Sequence, residues 1–494
     1  MLRLFEKFLY SSSYAILLGI YPMLTLYVSN IDQVGRAALF VPLILSAVFA
    51  ALMLGLFARI TKNKFAAGLM TSVVLISFFS YGHAINALQD GGIDLPAWIS
   101  FLVWLSASAG WIAAAGRIHP RDLRSNTPAL NLIVIILLLF PLFKVLRYGS
   151  FSLIPFAPKT DHAQTLTAET KPDIYYIILD SYGRADILKE LYGYDNGSFL
   201  GALEETGFYV AECAQSNYHL TMLSLGSALN MDYLPMLSDE FAPEKTDRFY
   251  LFKALNENAV LRALESSGYQ TVAFATGFPW TELRGADQFY APQYALPIDE
   301  FGILALKTTL VRVVDDLNLI NLDDITAERH RARSRLVFSS FDDLANMPGP
   351  KFVFVHILLP HPPYVFDAQG NPTSPDSVRD ADGYPAQTAY VSAEILEGVR
   401  TLIAQSAIPP VIILQGDHGP FYADITERKK ILNAYYLPDH SDQLYAGISP
   451  VNTFRVVFNA LFGTTYPLLE DVSYVSDLPY AYDFRVVPNS CPSK

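Results

Sequence analysis

Residues 174–180 read IYYIILD, residues 352–361 read FVFVHILLPH, and residues 411–418 read VIILQGDH. Each is a short, unbroken apolar run rich in Ile, Val, Phe and Tyr that ends in, or leads straight into, Asp or His. An unbroken run of this length suits a strand buried on both faces, as in a parallel sheet covered by helices. Two further runs, Thr271–Ala275 and Ile431–Tyr436, have the same character. Helix-like segments at Ala259–Ser267, Ala327–Ala345 and Gln387–Ser406 precede the second, third and fourth strands in chain order. That alternation predicts an α/β domain with a central, mostly parallel sheet sandwiched by helices. In such sheets the chemistry collects on loops at the carboxyl ends of strands, where these Asp and His residues fall.

Outward from that core, the chain divides by composition. It has 494 residues, of which 51% are hydrophobic and only 17% charged. Residues 1–150 hold 11 Lys and Arg against 5 Asp and Glu; taken from the whole-chain 35 and 48, this leaves 24 and 43 for residues 151–494. A front of +6 and a rear of −19 imply two different solvents. The acidic rear argues against nucleic acid as a partner, because phosphate backbones select clustered Lys and Arg.

Five apolar stretches, near 11–29, 37–57, 65–85, 96–115 and 128–147, are each about long enough to cross ~30 Å of hydrocarbon. A cleaved signal peptide does not fit, since more such stretches follow after short loops. Basic residues cluster at Arg3 and Lys7, at Arg59, Lys62 and Lys64, and at Arg117, Arg121 and Arg124. The remaining loops hold Arg36 beside Asp32, Asp90 and Asp94. The positive-inside rule then predicts a multi-pass protein of the cytoplasmic membrane with a cytoplasmic N-terminus. Five spans would leave the rear domain periplasmic or extracellular. The expected organisation is a transmembrane domain at 1–150, a linker at 151–171 and a catalytic domain at 172–494. His83 reads as an interfacial residue rather than a proton relay, and His119, His162, His330 and His440 read as solvated.

Asp180, His356, His361, Asp417 and His418 lie at three strand ends, so they can converge on one divalent cation. Oxygen and imidazole donors suit Zn or Mn, with Mg also admitted. A hydroxyl nucleophile is available in NYHLTMLSLGSALN at residues 217–230, where Thr221 opens a predicted helix. Helix N-termini favour the anion that a phosphorylated hydroxyl becomes. The alternatives are that Thr221 merely caps the helix, or that Ser216 or Ser224 is the nucleophile; His219 reads as an exposed loop residue. Trp280 and Arg284, in GFPWTELRGADQFY, are candidates for the head-group side of the pocket; packing and a surface ion pair are the plainer readings. Cys213 and Cys491 can bridge if their backbones approach closely enough, which the sequence leaves open.

These motifs resemble the alkaline phosphatase superfamily, in the sulfatase-like branch that contains lipoteichoic acid synthases and lipid A phosphoethanolamine transferases. The resemblance spans Pro172 to Phe484, and a helical anchor before an exported domain is similar to the membrane transferases of that branch. It implies Asp180, Thr221, Asp417 and His418 as metal ligands and Thr221 as nucleophile. It also implies His356 and His361, spaced H-x4-H, as catalytic residues, His361 contacting the phosphate. The segment ISPVNTFRVVFNALFG resembles a late helix that packs the sheet edge.

Two departures narrow the expectation. No Cys or Ser sits in the C/S-x-P-x-R pattern of true sulfatases, Cys213 in AECAQS included, which disfavours sulfate esters. The stretch GPFYADITERKKILN after the Asp-His pair holds no further histidine, so a second permanent metal is doubtful. The implied function is a metal-dependent phosphotransferase moving phosphoglycerol or phosphoethanolamine through a phospho-threonine. Its donor would be a phospholipid and its acceptor an envelope glycan, glycolipid or lipid. The alternatives are a phosphodiesterase or phosphatase of the same fold, and a non-catalytic envelope scaffold.

Overall fold

The computed structural model describes residues 2–31, 33–151, 156, 158–159, 166–294, 298–477, 480–489 and 491. His162 and much of the expected 151–171 linker lie outside the described residues. Two compact units emerge: 1–154 with 295–326, and 155–294 with 327–494. Residues 295–326, inside the 172–494 segment of the sequence reading, thus cluster with the N-terminal helices.

In the first unit, Arg36–Thr61, Lys64–Asp90, Ala97–Arg117 and Pro120–Tyr148 are helices long and apolar enough to cross a membrane. The expected first span is a helix of only 17 residues, Ser13–Ser29, with Pro22 inside it. At 1.5 Å per residue it reaches about 26 Å, short of a ~30 Å hydrocarbon core, so four spans replace the expected five. The helix Glu300–Thr308 packs in this unit because Gly82 allows it: a Cβ there would lie 2.2 Å from the Lys307 carbonyl oxygen. Arg312 then donates to the Gly82 carbonyl and to the Asn86 and Gln89 side chains.

The second unit is a seven-stranded sheet. Its strands are β1 Ile174–Leu179, β2 Tyr209–Val210, β3 Gln270–Phe274, β4 Gln288–Tyr290, β5 Lys351–Ile357, β6 Val411–Gly416 and β7 Asn433–Tyr436. The spatial order is β2-β7-β6-β1-β5-β3-β4, with β7 antiparallel to β6 and to β2 and the other pairs parallel. The central strand β1 shows why its run is apolar throughout. Ile174, Tyr176 and Ile178 enter one core with Phe454, Val457 and Phe458, and Tyr175, Ile177 and Leu179 enter the opposite core with Phe341, Val391 and Ile395. At about 1.5–3 kcal/mol per fully buried large side chain, these six positions contribute on the order of 10 kcal/mol before conformational entropy is charged against them.

The helix Pro450–Phe462 lies over the middle of the sheet rather than at its edge. Phe454 meets Tyr176 of β1 and Phe352 of β5 with ring centroids 5.1 and 6.0 Å apart. Cys213 and Cys491 are joined by a disulfide across 278 residues.

Candidate metal centre

Register places the site. Leu179 of β1 is level with Ile357 of β5 and with Gly416 of β6, so the residues just beyond these positions emerge side by side. Asp180 follows β1 and Asp417 follows β6, while His356 is the penultimate residue of β5. Ser181 adopts a left-handed backbone, φ 67°, an uncommon state for a residue with a Cβ. That turn aims its N–H at Asp417 Oδ1, 3.0 Å away, and Tyr384 holds it by donating to the Ser181 carbonyl at 2.8 Å.

Asp180, His356 and Asp417 are buried and offer ligand atoms that all lie within 4.8 Å of one another. His356 Nε2 is 3.2 Å from Asp180 Oδ2, and His418 Nε2 is 3.6 Å from Asp180 Oδ1 and 3.5 Å from Asp417 Oδ2. Thr221 Oγ1 lies 3.3 Å from His418 Nε2. The His418 Nδ1–H donates to the Gly419 carbonyl at 2.8 Å, which leaves Nε2 as the lone-pair nitrogen facing inward.

Two buried atoms, Asp417 Oδ2 and His356 Nε2, have no hydrogen-bond partner. A buried carboxylate oxygen left unpaired is costly, on the order of 1–3 kcal/mol or more. With no Lys or Arg ion pair to Asp180 or Asp417 among the described residues, the arrangement fits a divalent cation held by carboxylate and imidazole. Asp180, His356, Asp417, His418 and Thr221 are the residues able to hold it.

Electrostatics agree with ligand duty. Burial alone would push the Asp180 carboxyl up, yet His361, His356 and His418 together hold it well below the usual carboxylate range. Burial lowers the His418 imidazole against the pull of Asp417 and Asp180, favouring the neutral form that binds metal. His219 was expected to be exposed, and His330 to be solvated; both are buried. Burial, aided by nearby cations, lowers His219 to about 4 and His330 to about 3. His330 Nε2 donates to the Leu358 carbonyl at 3.0 Å. His83 and His119 are exposed, and His440 is half-buried.

Thr221 is the first residue of the helix Thr221–Asn230, whose capping position is Leu220, and its hydroxyl faces His418 Nε2. Ser224 is buried, and Ser216 is buried and donates to the Tyr218 carbonyl. His361 follows the site closely: its N–H donates to the Asp180 carbonyl at 3.1 Å, and its ring centroid is 6.3 Å from that of His418 and 4.8 Å from that of Phe421. A cavity of about 580 Å³ opens beside it, walled by Tyr364, Asp380, Phe421 and Tyr422 among others.

Trp280 is buried against Phe252, and Arg284 is exposed and paired with Glu282. No hydrogen bond or ion pair among the described residues joins either one to the Asp180 cluster. Their neighbour Thr281 does reach it, with Oγ1 3.0 Å from His356 Nδ1. Thr281 and Ser181 are the site residues that sequence reasoning missed. Neither belongs to a recognisable spacing, and only tertiary contact brings them in.

No family model matches the chain, and no curated protein matches it. Solved structures similar to it include the C-terminal periplasmic domain of EcEptC from Escherichia coli in complex with Zn. That match is at 15% identity and TM-score 0.43 and covers 68% of this chain and 96% of that one. Another is the integral membrane lipooligosaccharide phosphoethanolamine transferase A from Neisseria meningitidis, at 12% identity and TM-score 0.42, covering 91% and 95%. A third is BT1596, a 2-O GAG sulfatase, at 14% identity and TM-score 0.37, covering 60% and 72%.

Proposed function

We propose that this chain is a membrane-anchored, metal-dependent phosphotransferase of the sulfatase-like kind, moving a phospho-alcohol from a phospholipid donor to an envelope glycan, glycolipid or lipid acceptor. The observation that carries the reading is the buried cluster of Asp180, His356, Asp417 and His418, with Asp417 Oδ2 lacking a hydrogen-bond partner, beside a helix-opening Thr221 hydroxyl. A divalent cation, Zn or Mn, bound by Asp180, Asp417, His418 and Thr221, with His356 alongside, would lower the pKa of the Thr221 hydroxyl and offset phosphoryl charge.

The Thr221 proton leaves to solvent, and Oγ1 forms a bond to phosphorus as the bond from phosphorus to the donor's alcohol oxygen breaks. His361 protonates that oxygen. In the second half an acceptor hydroxyl gives its proton to His361 and attacks phosphorus, the bond to Thr221 breaks, and Thr221 Oγ1 takes back a proton from solvent. The helix N-terminus stabilises the phospho-threonine between the halves. Residues 279–284 wall the head-group side, Trp280 by its packing and Arg284 by its exposed guanidinium. The four apolar helices anchor the chain in the cytoplasmic membrane, with the basic loops at Arg59–Lys64 and Arg117–Arg124 inside and the acidic domain outside.

Incubating the full-length protein in detergent with a phospholipid labelled in its head-group phosphate tests this. We expect one label per chain, lost in Thr221→Ala while bound metal remains near one per chain. Metal-free wild type, or a labelled Thr221→Ala chain, would refute the assignment. Release of free head-group phosphate without any acceptor would replace transfer by hydrolysis.

A further inference from the structure

The proposed centre has an imbalance of charge. Asp180 and Asp417 offset a divalent cation, so an incoming phosphodiester anion, and the phosphodiester anion that Thr221 then carries, needs a further positive group. The domain around it is strongly acidic. The stretch 419–430, which returns from β6 to the sheet, supplies one candidate.

Arg428 is brought to the Asp417–His418 turn by main-chain contact: the Gly419 N–H donates to its carbonyl oxygen. Only glycine permits this approach, because a Cβ at Gly419 would lie 2.7 Å from the Lys430 oxygen and 3.1 Å from the Arg428 oxygen. The following residues are pinned on both sides. Ser216 N–H donates to the Lys429 carbonyl at 2.6 Å, and Arg184 N–H to the Lys430 carbonyl at 3.2 Å. The Arg428 guanidinium sits 4.8 Å over the Phe421 ring, and Phe421 in turn packs on His361, which packs towards His418. Among the described residues no carboxylate pairs with Arg428, and its buried Nε has no hydrogen-bond partner. A half-buried arginine stacked on Phe421, which feels Asp417, Asp180 and His418 electrostatically but bonds neither carboxylate, is placed for an anion that arrives later.

We propose that Arg428 binds the non-bridging phosphoryl oxygens of the substrate and of phospho-threonine, as the cation that complements the metal. The inference rests on the phosphotransferase reading above. A planar fork presents two parallel donors to two oxygens of one tetrahedral group, and stacking on Phe421 fixes its plane before substrate enters.

The test uses full-length protein in detergent, bound metal quantified, and inorganic phosphate as the probe, titrated by calorimetry. Arg428→Gln keeps a polar, hydrogen-bonding side chain and removes the charge. We expect it to weaken phosphate binding roughly 10- to 100-fold, the loss of charge-assisted hydrogen bonds, with metal content unchanged. Arg428→Lys restores the charge without the fork and should recover part of that loss. Phosphate binding equal to wild type in a metal-replete Arg428→Gln chain overturns the proposal. Should Arg428→Gln fail to fold, Arg428→Lys decides, a several-fold loss supporting the fork and wild-type affinity overturning it. If wild-type protein holds metal and binds no phosphate, the phosphotransferase reading itself fails. Phosphate binding indifferent to Arg428 removes this residue alone.

Discussion

Two carboxylates in the same domain differ in how far their hydrogen bonds are filled. Asp471 accepts from Ser449 N–H, Ser449 Oγ and Asn452 Nδ2 on one oxygen and from Tyr445 on the other, at 2.6 to 3.0 Å. It ties the start of the helix Pro450–Phe462 to the chain that follows, and nothing is left over. Asp417 accepts from Ser181 N–H and its neighbour His418 N–H on one oxygen and leaves the other, buried, with no partner. A saturated cluster is finished as structure. An unsaturated one carries a cost that folding alone does not recover, and a ligand is the natural recipient of the spare lone pairs.

That contrast can be broken. Asp417→Asn should remove bound metal and cut phosphoryl transfer by roughly 10³-fold, the scale of several kcal/mol of transition-state stabilisation. The metal-free variant should nevertheless melt no lower than metal-free wild type, since a buried unpaired charge has been removed. A large drop in the melting temperature of the metal-free variant would assign Asp417 to structure.

Asp471→Ala should do the reverse. Four donors lose their acceptor, so denaturant unfolding should show a loss of about 2–4 kcal/mol with metal content unchanged. Metal loss without destabilisation would erase the distinction between the two clusters.

His330 sharpens the comparison by pH. Its folded-state value, about 3, lies below the unfolded 6.5, so the unfolded chain binds the extra proton between these limits. The stability it contributes is therefore fully present above about pH 6.5 and is lost as pH falls towards 3. His330→Gln, which can still donate to the Leu358 carbonyl, should lose less stability than wild type between pH 7 and 4 in denaturant titrations. Equal slopes would place the imidazole in water.

The smallest effect is expected at Arg284. Its pair with Glu282 is exposed on the Arg side, with 65% of that side chain accessible. Arg284→Ala should change stability by no more than about 1 kcal/mol. A substantial rise in KM for a phospholipid donor would support its place on the head-group side.

Much was readable beforehand because β1, β5 and β6 are buried on both faces, and such strands write themselves as continuous apolar runs. Their ends marked Asp180, His356, Asp417 and His418 as residues that strand pairing would bring level. The first apolar stretch was over-read, since composition shows greasiness but not where a helix stops. His219 and His330 were misjudged for a related reason: their chain neighbours are polar, and burial depends on what packs from elsewhere.

The sequence by itself determined the α/β class, the division into apolar helices and acidic domain, and the residue types converging on one sheet edge. These follow from local periodicity and from the order of strands. Tertiary structure alone decided which polar atoms were left without partners, that Ser181 turns its N–H to Asp417, that Thr281 reaches His356, and that Arg428 stacks on Phe421. Hydrogen-bond saturation is a property of groups distant in the chain, so no local pattern can encode it.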